Sequence, residues 1–71
     1  MIKFAILILT LTTYNFDNGD KLNDYTETMH NVTLQECYQH GKELALNISA
    51  EFRKTLPNAS TNIKCELPEE N

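Results

Sequence analysis

The chain has 71 residues, which is the size of one domain (residues 1–71), and a chain this short buries only about 60% of its unfolded surface. Its hydrophobic fraction of 41% and charged fraction of 23% exclude a collagen-like or largely disordered protein. The net charge of -4 argues against a nucleic-acid partner and favours a basic protein surface instead.

The N-terminal segment supports two interpretations. A basic residue, Lys3, precedes an apolar run that ends at Leu11, as in a signal peptide, but no small-x-small cleavage site follows. The run is also much shorter than the roughly 20 residues that span a bilayer, so we expect no membrane association. Cleavage of residues 1–13 would make the protein periplasmic or secreted, whereas an intact chain is expected to be cytoplasmic.

The same segment alternates like a buried β-strand. Ile6 and Ile8 fall on one face, and a set of leucines falls on the other. We therefore predict a strand over residues 1–16, with the signal peptide as the alternative. Asn18-Gly19 then predicts a tight hairpin turn of type I′, in which both central residues have positive φ, leading to a second strand over 20–30.

A helix is predicted over residues 33–56. Thr33 and Glu36 match a capping box, in which each side chain accepts a hydrogen bond from a free backbone N–H of the other residue. Apolar or small residues follow at spacings of three or four, and Pro57 ends the pattern. These residues are Leu34, Cys37, Gly41, Leu44, Ile48, Phe52 and Leu56.

A final strand is predicted over residues 61–67, where Ile63, Cys65 and Leu67 alternate with polar residues. The expected fold is therefore α+β, with the order β-β-α-β. The hairpin and the C-terminal strand would form an antiparallel sheet packed on one long amphipathic helix.

The two cysteines are expected to lie close together. The helix carries the chain roughly 28 Å beyond Cys37, and the following turn and strand carry it back about the same distance to Cys65. An oxidising compartment would then favour a disulfide bond, whereas a reducing one would leave two buried thiols. The sequence leaves both states open.

No set of residues indicates catalysis or a cofactor. Cys37, His40 and Cys65, with His30 as a fourth member, could be written as a Cys2His2 zinc set, but they lack the close pairs that structural zinc sites use. We therefore predict no metal site, no cofactor, no catalytic residue and no enzymatic activity. Asn-x-Ser/Thr triplets begin at Asn31, Asn47 and Asn58, which would suit a secreted glycoprotein but exceed chance only mildly.

The candidate interaction surface combines apolar and acidic residues. One helix covers only one face of a small sheet, so some apolar side chains of the first strand should remain uncovered. A second copy of the chain, giving a homodimer, or another protein could bind there. The residues predicted for this surface are Leu7, Leu9, Leu11, Asp17, Asp20 and Asp24.

One resemblance to known proteins can be stated. An apolar start, a hairpin, the helix opening Met-x-x-x-Thr-x-x-Glu-Cys from Met29 to Cys37, and a late cysteine at Cys65 resemble small uncharacterised bacteriophage-encoded proteins. The resemblance implies a short accessory protein that acts by binding, such as an inhibitor of a host enzyme or of a defence complex. It implies no activity and no functional residue.

Overall fold

The computed structural model describes residues 2–68. It contains strand β1 (Phe4–Asn15), strand β2 (Asp20–Val32), helix α1 (Leu34–Arg53) and strand β3 (Ala59–Glu66). The predicted α+β class and β-β-α-β order are therefore confirmed.

The sheet is antiparallel with the order β2-β1-β3, so β1 is the central strand. Leu9 of β1 lies opposite Glu27 of β2 and also opposite Cys65 of β3. A strand with neighbours on both sides and a helix above it loses most of its contact with water, which accounts for the apolar sequence of β1. Both other strands depend on β1, because they pair with it and not with each other.

The hairpin loop differs from the predicted type I′ turn. Four residues, Phe16–Gly19, connect the paired residues Asn15 and Asp20, and Gly19 has φ +78° while Asn18 stays outside the left-handed region. Asn15 holds this loop, because its carbonyl accepts hydrogen bonds from the backbone N–H groups of Asn18 and Gly19. Its side-chain oxygen also accepts one from the N–H of Asp17, at 3.1 Å. These local hydrogen bonds favour a wider loop over the two-residue turn.

Helix α1 is shorter than predicted but begins as expected. Thr33 is its N-cap, and Thr33 and Glu36 form the complete capping box, with hydrogen bonds of 2.9 and 3.0 Å. The helix ends at Arg53 instead of residue 56, because the chain turns to start β3 at Ala59, two residues before the predicted strand.

The capping box predicts a dependence of stability on pH. The hydrogen bond from the Thr33 backbone, and then the one with its side chain, holds the pKa of Glu36 below its usual 4.5. A lowered pKa in the folded state means that this stabilisation is complete above about pH 4.5 and is lost as the pH falls through the folded-state value. Glu36→Gln keeps the hydrogen-bond acceptor but cannot titrate. We therefore expect the free energy of unfolding of this variant, measured by urea titration, to fall less steeply below pH 4.5 than that of the wild-type protein. A fall as steep as in the wild-type protein would contradict this.

Helix α1 covers the leucine face of β1, whereas from the sequence we predict that this face remains uncovered. Leu7, Leu9 and Leu11 have no exposed surface, and they form the core with Cys37. The prediction that these leucines remain uncovered for binding is therefore wrong. The reason lies in the pairing of β1 with β3, because Leu9 lies opposite Cys65 and so shares the face from which Cys65 reaches the helix.

Gly41 brings the helix close to this leucine face. A Cβ atom at Gly41 would lie 2.8 Å from Cδ1 of Leu9 and 2.8 Å from Cγ2 of Ile63, closer than carbon atoms normally approach. The absence of a side chain at Gly41 therefore sets the distance between α1 and the sheet.

Candidate functional site

The candidate site is the sheet face turned away from α1, here called the open face. It carries the even-numbered side chains of β1 and their neighbours across the sheet, and no element within residues 2–68 packs on it. Its residues are Ile6, Ile8, Thr10, Thr12 and Tyr14 from β1, Asp24, Thr26, Thr28 and His30 from β2, and Asn62, Lys64 and Glu66 from β3.

One end of the open face is apolar. Ile6 is 39% exposed and lines a shallow depression with Ala5, Leu67 and Pro68. The depression exists because β3 ends opposite Ile8, so the first residues of β1 have no neighbour on that side. Apolar side chains and an unpaired strand edge thus lie together at this end, a combination that suits the binding of another chain.

The middle of the open face consists mainly of threonines. Thr10 lies opposite Thr26, and Ile8 lies opposite Thr28. Each threonine presents a methyl group and a hydroxyl group, and none is long enough to project far from the sheet. On the β3 side, Lys64 lies opposite Thr10 and Glu66 lies opposite Ile8, and these two longer side chains form an exposed ion pair with Nζ of Lys64 2.6 Å from Oε1 of Glu66. The short threonines therefore form a shallow strip beside a charged pair, and another protein could pack along that strip.

The acidic residues lie at the opposite end, near the hairpin. Asp24 accepts hydrogen bonds from Nζ of Lys21 at 2.8 Å and from Oγ1 of Thr12 at 3.0 Å. These two bonds, with that of Lys21 the stronger influence, lower the pKa of Asp24 below its usual range. Asp17 accepts from the side-chain amide of Asn58, and all three predicted acidic residues, including Asp20, are exposed.

The structure therefore brings together only part of the predicted surface. Asp24 lies opposite Thr12, about 20 Å along β1 from Ile6 at roughly 3.3 Å per residue. The three acidic residues share the hairpin end of the molecule, while the predicted leucines lie beneath the helix on the other face. Ile6 and Ile8, and not the leucines, are the apolar residues of β1 on the face that the helix leaves open.

A second polar cluster joins β2 to the helix, and sequence reasoning did not predict it. The hydroxyl of Tyr25 donates to Oε1 of Glu27 at 2.7 Å, and Nε2 of His40 lies 2.9 Å from Oε2 of the same carboxylate. The hydrogen bond to Glu27 raises the pKa of Tyr25. Alternation along β2 places Tyr25 and Glu27 on the same face of the sheet, opposite Leu11 and Leu9, whereas the approach of His40 depends on where the helix crosses the sheet.

The cluster ties the helix to a strand that it otherwise barely contacts. Both His40 and Glu27 are about one-third exposed, so their interaction is partly screened by water.

In the part of the chain that is described, no group of three or more metal-ligating residues occurs.

Cys37 and Cys65 form a disulfide bond that links α1 to β3, with their Cα atoms 6.4 Å apart. The predicted proximity of the two residues is confirmed. Both are buried, and neither sulfur is a free thiolate in this state, so neither can act as a nucleophile or a zinc ligand.

Buried hydroxyl groups connect the same two layers. Oγ1 of Thr61 lies 2.8 Å from Oγ of Ser49 and 2.9 Å from Oγ1 of Thr13. Since Ser49 and Thr13 are almost completely buried, these bonds satisfy hydroxyls that would otherwise be costly to enclose. These three hydroxyl groups therefore have a structural role, since they hydrogen-bond to one another between the helix and the sheet.

Taken together, the fold and the site define a small α+β domain with one sheet face under a helix and the other open. No helix within residues 2–68 is long and apolar enough to cross a membrane. No protein-family model, curated protein or solved structure matches the chain.

Proposed function

We propose that the chain is a non-enzymatic binding protein that lays its open face on a larger protein and so inhibits or modulates it. The observation that carries this proposal is the exposure of Ile6 on a sheet face that no described element covers, with the exposed Leu67 beside it just beyond the end of β3. Exposed apolar surface next to polar residues is typical of protein interaction sites.

The charge distribution indicates the kind of partner. The chain carries a net charge of -4, and exposed carboxylates lie at the hairpin end. A partner surface with an apolar region about 20 Å from a basic one would match both ends. The resemblance to phage-encoded accessory proteins suggests a host enzyme or a protein of a defence complex.

The test compares one substitution on each side of the molecule. Ile6→Glu places a charge on the open face, whereas Leu46→Glu makes the same kind of change on the exposed side of the helix. We expect the wild-type protein and Leu46→Glu to capture the same protein from an extract of the native host, and Ile6→Glu to lose it. Calorimetry with the purified captured protein should then show at least about tenfold weaker binding per chain for Ile6→Glu.

Other results would count against the proposal. Capture of the same proteins by wild type and Ile6→Glu, with equal affinity per chain, would mean that the open face does not bind them. Unchanged thermal unfolding of Ile6→Glu is the control that its fold is intact.

A second candidate function is that of an exported, disulfide-bonded protein. The Cys37–Cys65 bond favours it, as does the exposure of Asn31, Asn47 and Asn58. In this fold, however, removal of residues 1–13 would eliminate most of the central strand, so export in this form requires that β1 be retained.

Intact mass of the protein from its native host, before and after reduction, distinguishes the two. Export predicts a loss of two hydrogens, and glycans on the asparagines would add mass. A full-length chain with two free thiols would exclude the exported form and leave the binding proposal standing.

A further inference from the structure

Strand β3 has a free outer edge. It pairs with β1 on one side, and no element within residues 2–68 pairs with its other side. Its eight residues, Ala59–Glu66, include no proline and show no irregularity in their pairing with β1. The edge of β2 is less regular, because the β1–β2 register shifts between Thr13 and Tyr14 and Asn31 has φ 56°. Bulges and bends of this kind hinder strand addition, so β3 is the better edge for it.

An apolar flank of the helix lies beside this edge. Ser49 bonds to Thr61 at 2.8 Å, and Nε of Arg53 donates to the carbonyl of the first residue of β3, so this side of α1 faces β3. At 3.6 residues per turn, Tyr38 lies about 20° around the helix from Ser49, and Leu46 about 20° from Arg53. Tyr38 is 44% exposed and Leu46 is 60% exposed.

The strand edge and the apolar flank have the same midpoint. Lys42 lies halfway between Tyr38 and Leu46, and the adjacent Gly41 packs directly on Ile63. Ile63 is in turn at the middle of β3. A twofold axis perpendicular to the sheet beside Ile63 would therefore relate both the β3 edge and the Tyr38–Leu46 flank to their copies about their own centres.

From this common centre we propose that two copies of the chain pair antiparallel through their β3 edges, about a twofold axis at Ile63. The two sheets then become one sheet of six strands, with both helices on the same face. Tyr38 of each copy packs against Leu46 of the other, because antiparallel helices centred at Lys42 place these two residues side by side. A self-complementary surface of this kind is what a twofold dimer requires, whereas an unrelated partner would need no shared midpoint.

The charges across the pairing are compatible with it. With Ile63 opposite its own copy, Lys64 lies opposite Asn62, and Glu66 lies opposite Ser60 of the second copy. No like charges therefore face each other across the two strands. On the helices, the same centring places Lys42 opposite Lys42 of the second copy; both are exposed, so water and salt screen their repulsion, and Glu43 follows each of them in sequence.

This inference goes beyond the proposed function, since the paired edges leave both open faces uncovered. The dimer would present two open faces in one continuous sheet. A partner that is itself dimeric would then bind two chains at once, with higher avidity than one chain provides.

The experiment measures mass by sedimentation velocity as the protein concentration rises. We expect the wild-type protein to change from monomer to dimer, and Tyr38→Gln combined with Leu46→Gln to weaken dimerisation at least about tenfold, because aromatic and large apolar side chains dominate such interfaces. The matched control is Tyr25→Gln, which changes a tyrosine of similar exposure, 38%, on the β2 side of the molecule. We expect this control to dimerise like the wild type.

An amine cross-linker supplies a second readout, which is made on the wild-type protein and so does not depend on whether a variant folds. A short reagent should join Lys42 of one copy to Lys42 of the other, and Lys42→Arg should abolish that cross-linked peptide without changing the sedimenting mass. A wild-type protein that stays monomeric at high micromolar concentration would overturn the proposal. So would a dimer that is unaffected by the Tyr38 and Leu46 changes but is lost with Tyr25→Gln, since that result places the interface at β2.

Discussion

Replacing both Cys37 and Cys65 with alanine is expected to lower the free energy of unfolding by about 3 to 4 kcal/mol. The bond joins residues 28 positions apart, and the loss of entropy that such a loop imposes on the unfolded chain gives this magnitude. Small domains are stable by only about 5 to 15 kcal/mol in total, and a chain of this size belongs near the lower limit. We therefore expect a large part of the stability to depend on this one bond.

Urea unfolding with and without a reducing agent measures this effect. The wild-type protein should unfold at a lower urea concentration once reduced, and the double alanine variant should be insensitive to the reducing agent. The variant is the control, because it shows any effect of the reagent apart from the bond. Coincident unfolding curves for oxidised and reduced wild-type protein would show that the disulfide adds little to stability.

Replacing Leu9 with alanine should destabilise the protein by about 2 to 5 kcal/mol, because Leu9 is completely buried and its removal leaves a cavity beneath the helix. Ile6 provides the matched comparison on the same strand. It is 39% exposed on the open face, so Ile6→Ala should cost less than about 1.5 kcal/mol. The two substitutions remove similar amounts of aliphatic side chain from opposite faces of β1.

The difference between the two values tests which face α1 covers. Equal losses, or a larger loss for Ile6→Ala, would contradict the packing of the helix on the leucine face. Both values come from chemical denaturation of the oxidised protein, so that the disulfide bond contributes equally to each.

The proposed surfaces divide the molecule by role. The leucine face forms the core, the open face is the proposed binding surface, and the β3 edge with its helix flank is the proposed dimer contact. Ile6→Glu should weaken partner binding and leave the dimer intact, whereas the Tyr38 and Leu46 changes should weaken the dimer and leave the affinity of a single chain for the partner unchanged. The two proposals can therefore fail separately.

Local sequence patterns determined the secondary structure of this protein. The helix start at Thr33 follows from a capping box that involves only neighbouring residues. The strand character of β1 follows from alternation along one segment. The proximity of Cys37 and Cys65 could also be predicted, because the lengths of a helix and a strand are set by their rise per residue.

Only the tertiary structure decided which face of β1 became the core. The β1 sequence offers leucines on one face and isoleucines on the other, and both are apolar enough to be buried. The choice depends on the strand order β2-β1-β3 and on the side of the sheet on which α1 crosses from β2 to β3, neither of which is encoded within β1. The approach of His40 to Glu27 and the free flank at Tyr38 depend on the same crossing. These features join residues far apart in the chain, so a pattern confined to one segment carries no information about them.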